Sequence, residues 1–237
     1  MSFFVNTTYR SDAIEIMDDL SMDGALLIDT LHKLDTINKW LGGNAITLNG
    51  IKKLLKNHPK NKELTIIDVG CGSGDMLRQV AKYARKKDYV FKLIGVDANK
   101  CVIDHAEKIS KKYPEISYLQ QDIFSEEFKE SSYDIVLATL FFHHFKEDEL
   151  VSLLNQIRQK ASLGIVVNDL HRHALAYYLF KLLSLGIKNE MVKQDGLTSI
   201  LRGFKKEELE EISIKINAKS QIAWKWAFRY QWIIRIK

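Results

Sequence analysis

Cysteines, long apolar runs and internal repeats are scarce or absent in this sequence. The only cysteines are Cys71 and Cys101, which are too few for the disulfide framework of a small secreted protein. The most apolar stretch, residues 174–187, is interrupted by Lys181 and falls short of the roughly 18–20 residues that a membrane-spanning helix needs. Residues 1–4 show no charged and then apolar leader. These absences predict a cytoplasmic protein without a membrane span.

Composition and charge are those of an ordinary globular chain: of 237 residues, 46% are hydrophobic and 27% are charged. This length suits one large domain, or a core with a small cap. The net charge of +5 includes basic groups within 52–56, 85–87 and 108–112, each near the end of a predicted helix. Cations there interact favourably with the negative end of the helix dipole. We therefore expect solvated surfaces rather than a nucleic-acid partner.

The first part of the sequence, up to about residue 62, has the apolar spacing of helices. This spacing is followed by a glycine pair that ends the first helix, and a second short helix is predicted over 46–56. We interpret 1–62 as an N-terminal helical cap and 63–237 as the main domain. The residues that carry the spacing are Leu27, Leu31, Leu34 and Leu41.

From Leu64 onward, short apolar runs alternate with amphipathic helices, which is typical of βαβ units and a parallel sheet. A short turn near the C-terminus then joins two further strands, which must run antiparallel. The predicted fold class is α/β, a Rossmann-like, seven-stranded, mostly parallel sheet with a C-terminal antiparallel hairpin. The first five strands are predicted over 64–69, 91–96, 117–120, 133–138 and 163–168.

The segment after the fifth strand is interpreted as a lid insertion over about 171–204. It contains a predicted helix over 171–187 that is apolar nearly all round, and a loop at 194–196. The helix is expected to cover a pocket together with the N-terminal helices and so exclude water. A homodimer interface is the alternative explanation of its apolar surface. Monomer and homodimer both remain open.

The last part of the sequence alternates apolar and polar residues. A helix is predicted over 205–211, a strand through Ile212, Ile214 and Ile216, and a turn over 217–220. A second run has apolar even positions from Ile222 to Ile236, and a period of two predicts one buried sheet face. The alternative is an exposed aromatic platform, interleaved with Lys225 and Arg229, that stacks nucleic-acid bases.

A glycine-rich segment joins the first predicted strand directly to a helix. Gly70, Gly72 and Gly74 allow a sharp turn and a close approach of the backbone to a ligand. The dinucleotide fingerprint needs a third glycine five residues after the first, where this chain has Asp75. Asp75 and Asp68 would repel phosphates, but they would attract the sulfonium and ammonium groups of S-adenosylmethionine (SAM).

Two more aspartates follow the next predicted strands. Asp97 lies 23 residues after Gly74, close to the offset at which a carboxylate accepts hydrogen bonds from ribose hydroxyls. Asp122 follows the third strand, where it is expected to accept from the adenine amino group while Ile123 packs on the ring. A single aspartate is commonly a turn or cap residue, but three successive strand ends with one each indicate a nucleoside site.

These segments resemble the ordered motifs of class I SAM-dependent methyltransferases, over residues 64–237. Other segments, at 35–43, 168–173 and 195–204, resemble bacterial enzymes that methylate quinone precursors or polyketide-derived phenols. The resemblance implies SAM as cofactor and a small-molecule acceptor. No carboxylate or cysteine ligand set has a recognisable metal spacing, so no resident metal is expected. Related quinone-pathway enzymes end the first long helix with an arginine for the cofactor carboxylate, where this chain has only Lys39. The expected cofactor-binding residues are Asp68, Gly70, Cys71, Gly72, Gly74, Asp97, Ala98, Asp122, Ile123 and Thr139.

Four of the seven histidines follow the fourth and fifth predicted strands, where ligands of open α/β sheets bind. An acceptor hydroxyl must lose its proton during methyl transfer, and imidazole can take it at neutral pH. His144, His143 and His171 are the candidate bases, His173 is a further one, and His144 is favoured by the resemblance. The alternative is that these side chains only cap or pack. Cys71 is interpreted as a small loop residue, since direct displacement needs no covalent intermediate.

Two other functions remain in competition. Amino-directed nucleic-acid methyltransferases resemble one another in an Asn/Asp-Pro-Pro-aromatic motif after strand four, and this chain has Ala138-Thr139-Leu140-Phe141-Phe142 there. The absence of this motif does not argue against methylation of ribose or of carbon atoms in nucleic acid. A non-catalytic module that binds SAM is the third interpretation. Whether oxygen, carbon or nitrogen accepts the methyl group stays open.

Overall fold

The computed structural model describes residues 5–236. The expectation about a leader concerns residues 1–4, which lie outside the described residues. No helix within 5–236 has the length and apolarity to cross a membrane. The strands are β1 Leu64–Val69, β2 Phe91–Asp97, β3 Ile116–Gln120, β4 Tyr133–Thr139, β5 Ala161–Leu170, β6 Lys219–Lys225 and β7 Arg229–Arg235. The α-helices are α1 Gly24–Trp40, α2 Gly43–Leu54, α3 Asp75–Lys87, α4 Lys100–Ser110, α5 Glu126–Glu130, α6 Glu147–Lys160, α7 Ala174–Ser184, α8 Glu190–Arg202 and α9 Lys206–Lys215.

A single seven-stranded sheet organises the chain in the order β3-β2-β1-β4-β5-β7-β6. Strands β1 to β5 pair in parallel, and β7 pairs antiparallel with both β5 and β6. Strands β2 and β3 are added on one side of β1, and β4 and β5 on the other side. A crevice opens where this order switches, at the carboxyl ends of β1 and β4. The predicted Rossmann-like fold with a C-terminal antiparallel pair is confirmed.

Both faces of the sheet are covered by helices because alternate strand residues point to opposite sides. In β1, Ile66 packs in the apolar layer that contains residues of α2 and α3. Ile67 and Val69 pack in the other layer, with residues of α6 and α9. Each fully buried aliphatic side chain contributes about 1.5–3 kcal/mol relative to an exposed one. The near-continuous apolar sequence of β1 is thus explained by burial on two sides.

Two local predictions in the C-terminal third are wrong. Residues 194–196 are not a loop, because they lie inside α8. The expected strand through Ile212, Ile214 and Ile216 is the end of α9 and its C-cap. Ile212 and Ile216 lie four residues apart and are buried on one helical face, whereas Ile214 is 77% exposed. The helical spacing of four residues, rather than the strand spacing of two, therefore describes this segment.

The terminal antiparallel pair was predicted, but its turn lies further along the chain. Residues 226–228 join β6 to β7, and 219–220, at the end of the predicted turn, already belong to β6. The expectation of one buried face of even positions is wrong for Trp224 and Trp226, which are 50% and 67% exposed. Strand β7 is buried on both faces except at its last residue, since it lies between β5 and β6 under helices.

The segment before α1 contacts residues of 171–204 near the carboxyl ends of the strands. Asp195 of α8 accepts hydrogen bonds from the backbone N–H groups of Ile16 and Met17, at 2.7 and 3.0 Å. Arg172, just after β5, donates to the carbonyl oxygens of Thr7 and Thr8. The segment before α1 is therefore anchored to the insertion 171–204. The cap boundary at residue 62 stays a prediction.

Candidate active site

A cavity of about 670 Å³ lies beyond the carboxyl ends of β1, β2, β4 and β5. Helices α1, α7 and α8 and the turn 226–228 also line it. All the expected cofactor residues line this cavity except Gly74, and so do all three favoured histidines. Gly74 instead forms the N-cap of α3 with a φ of 76°, and His173 is an exposed N-cap of α7. The residues expected from the sequence thus line one shared cavity, except Gly74 and His173, which do not line it.

The glycine loop adopts a conformation in which a side chain would clash with its surroundings. Gly70 has a φ of 64°, and a Cβ there would lie 2.1 Å from Cδ2 of Phe141. The loop is fixed to the next strand because the Gly72 N–H donates to Oδ2 of Asp97 at 3.2 Å. Cys71 is buried, and burial next to Asp97 raises the pKa of its thiol well above the usual range. A neutral thiol supports the interpretation of Cys71 as a packing residue.

Asp68 is buried beneath this loop, and its Oδ1 has no hydrogen-bond partner within residues 5–236. Burial, together with the charge of Asp97, raises the pKa of Asp68 to about 8. Burial also raises the pKa of Asp97, against the opposing effect of backbone N–H donors from Asn99 and Gly72. A cation placed here would lower the cost of both carboxylates, so the site is suited to a positively charged ligand.

The other expected nucleoside contacts lie around the ends of β3 and β4. Asp122 is exposed and accepts the backbone N–H of Phe124 at 2.9 Å, while Ile123 is buried. Ala98 also lines the cavity at the end of β2. The hydroxyl of Thr139 lies 3.1 Å from that of Thr47 on α2. The turn uses Oδ1 of Asp122, so Oδ2 is left for a ligand.

Helix α1 adds a carboxylate that the sequence analysis missed. The hydroxyl of Ser73 donates to Asp35, which lines the cavity. Burial raises the pKa of Asp35 to about 6, and nearby Asp75 adds to the effect. Lys39, considered as a substitute for the arginine of related enzymes, is exposed and does not line the cavity. Helix α1 thus brings a carboxyl group rather than a cation to the glycine loop.

His143 is enclosed between two carboxylates. Its Nδ1 lies 2.7 Å from Oδ1 of Asp169, and its Nε2 lies 3.5 Å from Oε1 of Glu15. Burial opposes a charge on the ring, but the two carboxylates outweigh it and raise the pKa of His143 to about 9. At neutral pH this ring is an imidazolium. It is an ion-pair centre, and it lacks the free lone pair that a base needs.

His144 has a different environment. Its Nδ1 lies 2.6 Å from Oδ1 of Asp18, which also accepts from Arg202 at 2.8 Å. Burial opposes ionisation of Asp18, yet its contacts with His144 and Arg202 hold its pKa well below the usual range. An anionic Asp18 favours a proton on Nδ1 of His144, which leaves Nε2 as the acceptor. His144 is 21% exposed in its side chain and lines the cavity.

His171 has the opposite tautomer. Its Nδ1 accepts the indole N–H of Trp224 at 3.2 Å, so in the neutral ring the proton lies on Nε2. Burial, with His173 nearby, lowers the pKa of His171. Nε2 of His171 is therefore a donor rather than a base.

Glu15, His143 and His144 also lie close enough to share a cation, with one ligand atom of each within 4.8 Å of the others. The bond of His143 to Asp169 and that of His144 to Asp18 occupy one nitrogen of each ring. The protonated state of His143 accounts for this cluster as an ion pair. The expectation that the site has no resident metal stays a prediction.

The sequence analysis missed the partners of the histidines because they come from distant parts of the chain. Glu15 and Asp18 precede the first long helix, and no periodicity or loop motif marks them. Asp169 stands in a segment that was singled out by resemblance, but only its histidines were given a role. Arg229 was noted only as a cation that, with Lys225, is interleaved in an aromatic run, and the structure buries it at the cavity.

Comparisons of sequence and of structure match this chain to methyltransferases. Residues 66–162 match a family model described as a methyltransferase domain, and this segment contains the glycine loop and both histidines after β4. A search of curated protein sequences gave no match. The plantazolicin methyltransferase BpumL in complex with SAH is 20% identical, with a TM-score of 0.64, and covers 89% of this chain and 88% of that chain.

Two polyketide enzymes have the same fold at lower identity. The CurJ carbon methyltransferase is 13% identical with a TM-score of 0.60, over 81% of this chain and 54% of that chain. The citrinin polyketide synthase CMeT domain is 15% identical with a TM-score of 0.59, over 78% of this chain and 49% of that chain. Residues 66–162 thus match a methyltransferase domain, and the chain shares the fold of these solved methyltransferases.

Proposed function

We propose that this enzyme transfers the methyl group of SAM to a hydroxyl of a small-molecule acceptor, and that His144 removes the proton of that hydroxyl. The observation that carries the proposal is the contact of 2.6 Å between Nδ1 of His144 and the carboxylate of Asp18, at the wall of the cavity. This contact orients the ring so that, in its neutral form, the other nitrogen is available as an acceptor.

The cofactor is held by the acidic end of the cavity. The unpartnered Oδ1 of Asp68 is suited to the amino acid ammonium, and Asp97 to the ribose hydroxyls. Asp122 and Ile123 would bind the adenine, and Thr139 would contact the amino acid part. SAM supplies an electrophilic methyl group on its sulfonium when it is bound. A dinucleotide would instead place its phosphates beside Asp68 and Asp75, which are negative or costly to charge.

The remaining steps are carried out by residues of the chain. His143 fixes the backbone after β4. Its backbone carbonyl oxygen accepts from Arg10 and Arg202, and its ring binds Asp169. That arrangement positions the adjacent His144. As the acceptor oxygen attacks, Nε2 of His144 takes its proton, and Asp18 stabilises the imidazolium that forms. Helices α7 and α8 exclude water from the reacting groups.

A small acceptor also agrees with the size and charge of the site. The cavity volume is within the range of about 300–1,000 Å³ for small-molecule pockets. Seven aspartates and glutamates line it, which disfavours a polyanionic nucleic acid. BpumL acts in plantazolicin methylation, CurJ is a carbon methyltransferase, and the CMeT domain belongs to a polyketide synthase. These relatives support an acceptor that is a small molecule or a short peptide rather than a nucleic acid.

The test uses the purified protein with methyl-labelled SAM and a panel of phenols, each paired with its own methyl ether. We expect label in the phenols and none in the blocked ethers. Transfer to a blocked ether would exclude the hydroxyl as acceptor. Labelling of RNA or DNA in preference to every phenol would support the nucleic-acid alternative. Tight binding of SAH without any transfer would indicate a non-catalytic module.

A further inference from the structure

Arg229 is the first residue of β7 and is buried at the cavity wall, with only 2% of its surface exposed. It follows the turn 226–228, which lines the same cavity. Neither Nε nor Nη1 of its guanidinium has a hydrogen-bond partner among residues 5–236. Burial lowers the pKa of Arg229 to about 10, so the side chain remains charged at neutral pH. A buried charge without a partner is costly, and such groups are retained where a ligand supplies the partner.

A second buried arginine shows how this fold satisfies a guanidinium that is only structural. Arg172 is 1% exposed, forms an ion pair with Glu208 at 2.6 Å and donates to the carbonyl oxygens of Thr7, Thr8 and Gly203. No carboxylate lies within ion-pair distance of Arg229 in the part of the chain that the structure describes. Asp169 influences the charge of Arg229 but is itself hydrogen-bonded to His143.

The start of α2 packs closely against Arg229. A Cβ on Gly43 would lie 3.1 Å from Nη1 of Arg229 and 1.9 Å from Oδ1 of Asn38. Oδ1 of Asn38 is also buried without a partner among residues 5–236, while its amide donates to Asn44. The glycine at the start of α2 thus allows Asn38 and Arg229 to lie side by side in the cavity wall.

Arg229 enters the cavity wall from the hairpin side of the sheet. In the sheet, β7 is separated from β1 by β4 and β5, so Arg229 begins a strand roughly 14 Å from the strand that leads into the glycine loop. Of the lysines and arginines in residues 5–236, only Arg229 lines the cavity. Seven carboxylates line it as well, and Asp68, Asp97, Asp35 and Asp75 among them surround the glycine loop.

We propose that Arg229 binds a carboxylate on the methyl acceptor, so that the substrates of this enzyme are anionic hydroxy acids. This inference rests on the proposed function and names the substrate class of the same site. A planar guanidinium binds a carboxylate through parallel charged hydrogen bonds, and the low-dielectric wall strengthens them. Binding of an anion there turns an unpaired buried charge into an ion pair.

The experiment measures binding of two matched pairs of probes to the SAH-loaded protein by calorimetry. The pairs are salicylate with salicylamide, and para-hydroxybenzoate with para-hydroxybenzamide, which differ in charge but hardly in shape. We expect each carboxylate to bind roughly tenfold tighter than its amide. In Arg229→Gln this preference should disappear, and in Arg229→Lys part of it should return.

Three results decide the inference, with Arg235→Gln as the matched control because Arg235 is exposed at the other end of the same strand. Absence of a carboxylate preference in the wild-type protein, or its survival in Arg229→Gln, would overturn the inference. Loss of SAH affinity in Arg229→Gln by the same factor would assign the arginine to the cofactor carboxylate instead. Failure of the wild-type protein to bind SAH would count against the proposed function, independently of the probe pairs.

Discussion

At the glycine-loop end of the cavity, carboxylates lie close together, and burial raises the pKa of Asp68, Asp97 and Asp35. On the hairpin side, beside the turn 226–228, the charge is the guanidinium of Arg229. One cavity therefore combines a wall suited to a cationic ligand with a group suited to an anionic one. His144 lies in the wall as the candidate base, so substitutions of these three groups should have different effects.

The largest effect is expected from His144→Ala. Loss of the base should lower turnover by about 10²–10⁴, whereas the dissociation constant of SAH should change little, because His144 addresses the acceptor. Turnover on a phenol and calorimetry with SAH measure the two quantities. His173→Ala is the matched control, since that histidine is an exposed helix cap. Near-normal turnover in His144→Ala would remove the general base from the mechanism and leave alignment as the main source of catalysis.

Asp97→Ala tests the glycine-loop end of the cavity. Its carboxylate already accepts the backbone N–H groups of Gly72 and Asn99, and we expect its free lone pairs to bind the ribose hydroxyls. SAH affinity should fall by about 1.5–3 kcal/mol, the range for hydrogen bonds to a charged group. Asp104→Ala on the exposed face of α4 is the control. Equal SAH affinities in the two variants would exclude Asp97 from cofactor binding.

A smaller effect concerns pH. Asp68 holds its proton up to about pH 8 in the free protein, and a bound ammonium favours the charged form. Binding of SAH therefore releases a proton, so its affinity should rise from pH 6 to pH 8, by at most about tenfold per unit. Asp68→Asn should flatten this dependence. Calorimetry in buffers of different ionisation enthalpy counts the released proton, and an unchanged slope in the variant would contradict the assignment.

The smallest effect separates the two buried arginines by stability. Arg229→Met removes an unpaired buried charge and should raise the melting temperature of the free protein by about 2–4 °C for each kcal/mol gained. Arg172→Met breaks an ion pair and several hydrogen bonds, and should cost about 3–5 kcal/mol. Thermal unfolding compares both variants. A lower melting temperature in Arg229→Met would make its role structural.

The fold was largely predictable because its signals are local. Apolar runs marked β1 to β5 to within a few residues, and the glycine loop identified the junction of β1 and α3. Prediction was wrong where two periodicities overlapped. Residues 212–216 satisfy both a strand and a helix pattern, and the burial of Ile212 and Ile216 on one side of α9 decides for the helix.

Only the part of the site at the ends of the strands could be predicted from the sequence. Residues at the ends of parallel strands meet at one edge, so Asp68, Asp97 and the histidines could be grouped from topology. The groups that set the protonation of those histidines come from residues 15–18 and 169, and no sequence periodicity records such a long-range contact. His143 was therefore interpreted as a candidate base, although its two carboxylate partners make it a cation.

The short helical turn Ile16–Asp18 connects α8 to the candidate base. Asp195 of α8 binds the backbone of this turn, and Asp18 within the turn contacts His144. Under the proposed mechanism, the position of α8 therefore influences the distance between the base and its carboxylate. A substitution that displaces α8 should lower turnover even when the substituted residue lies outside the cavity.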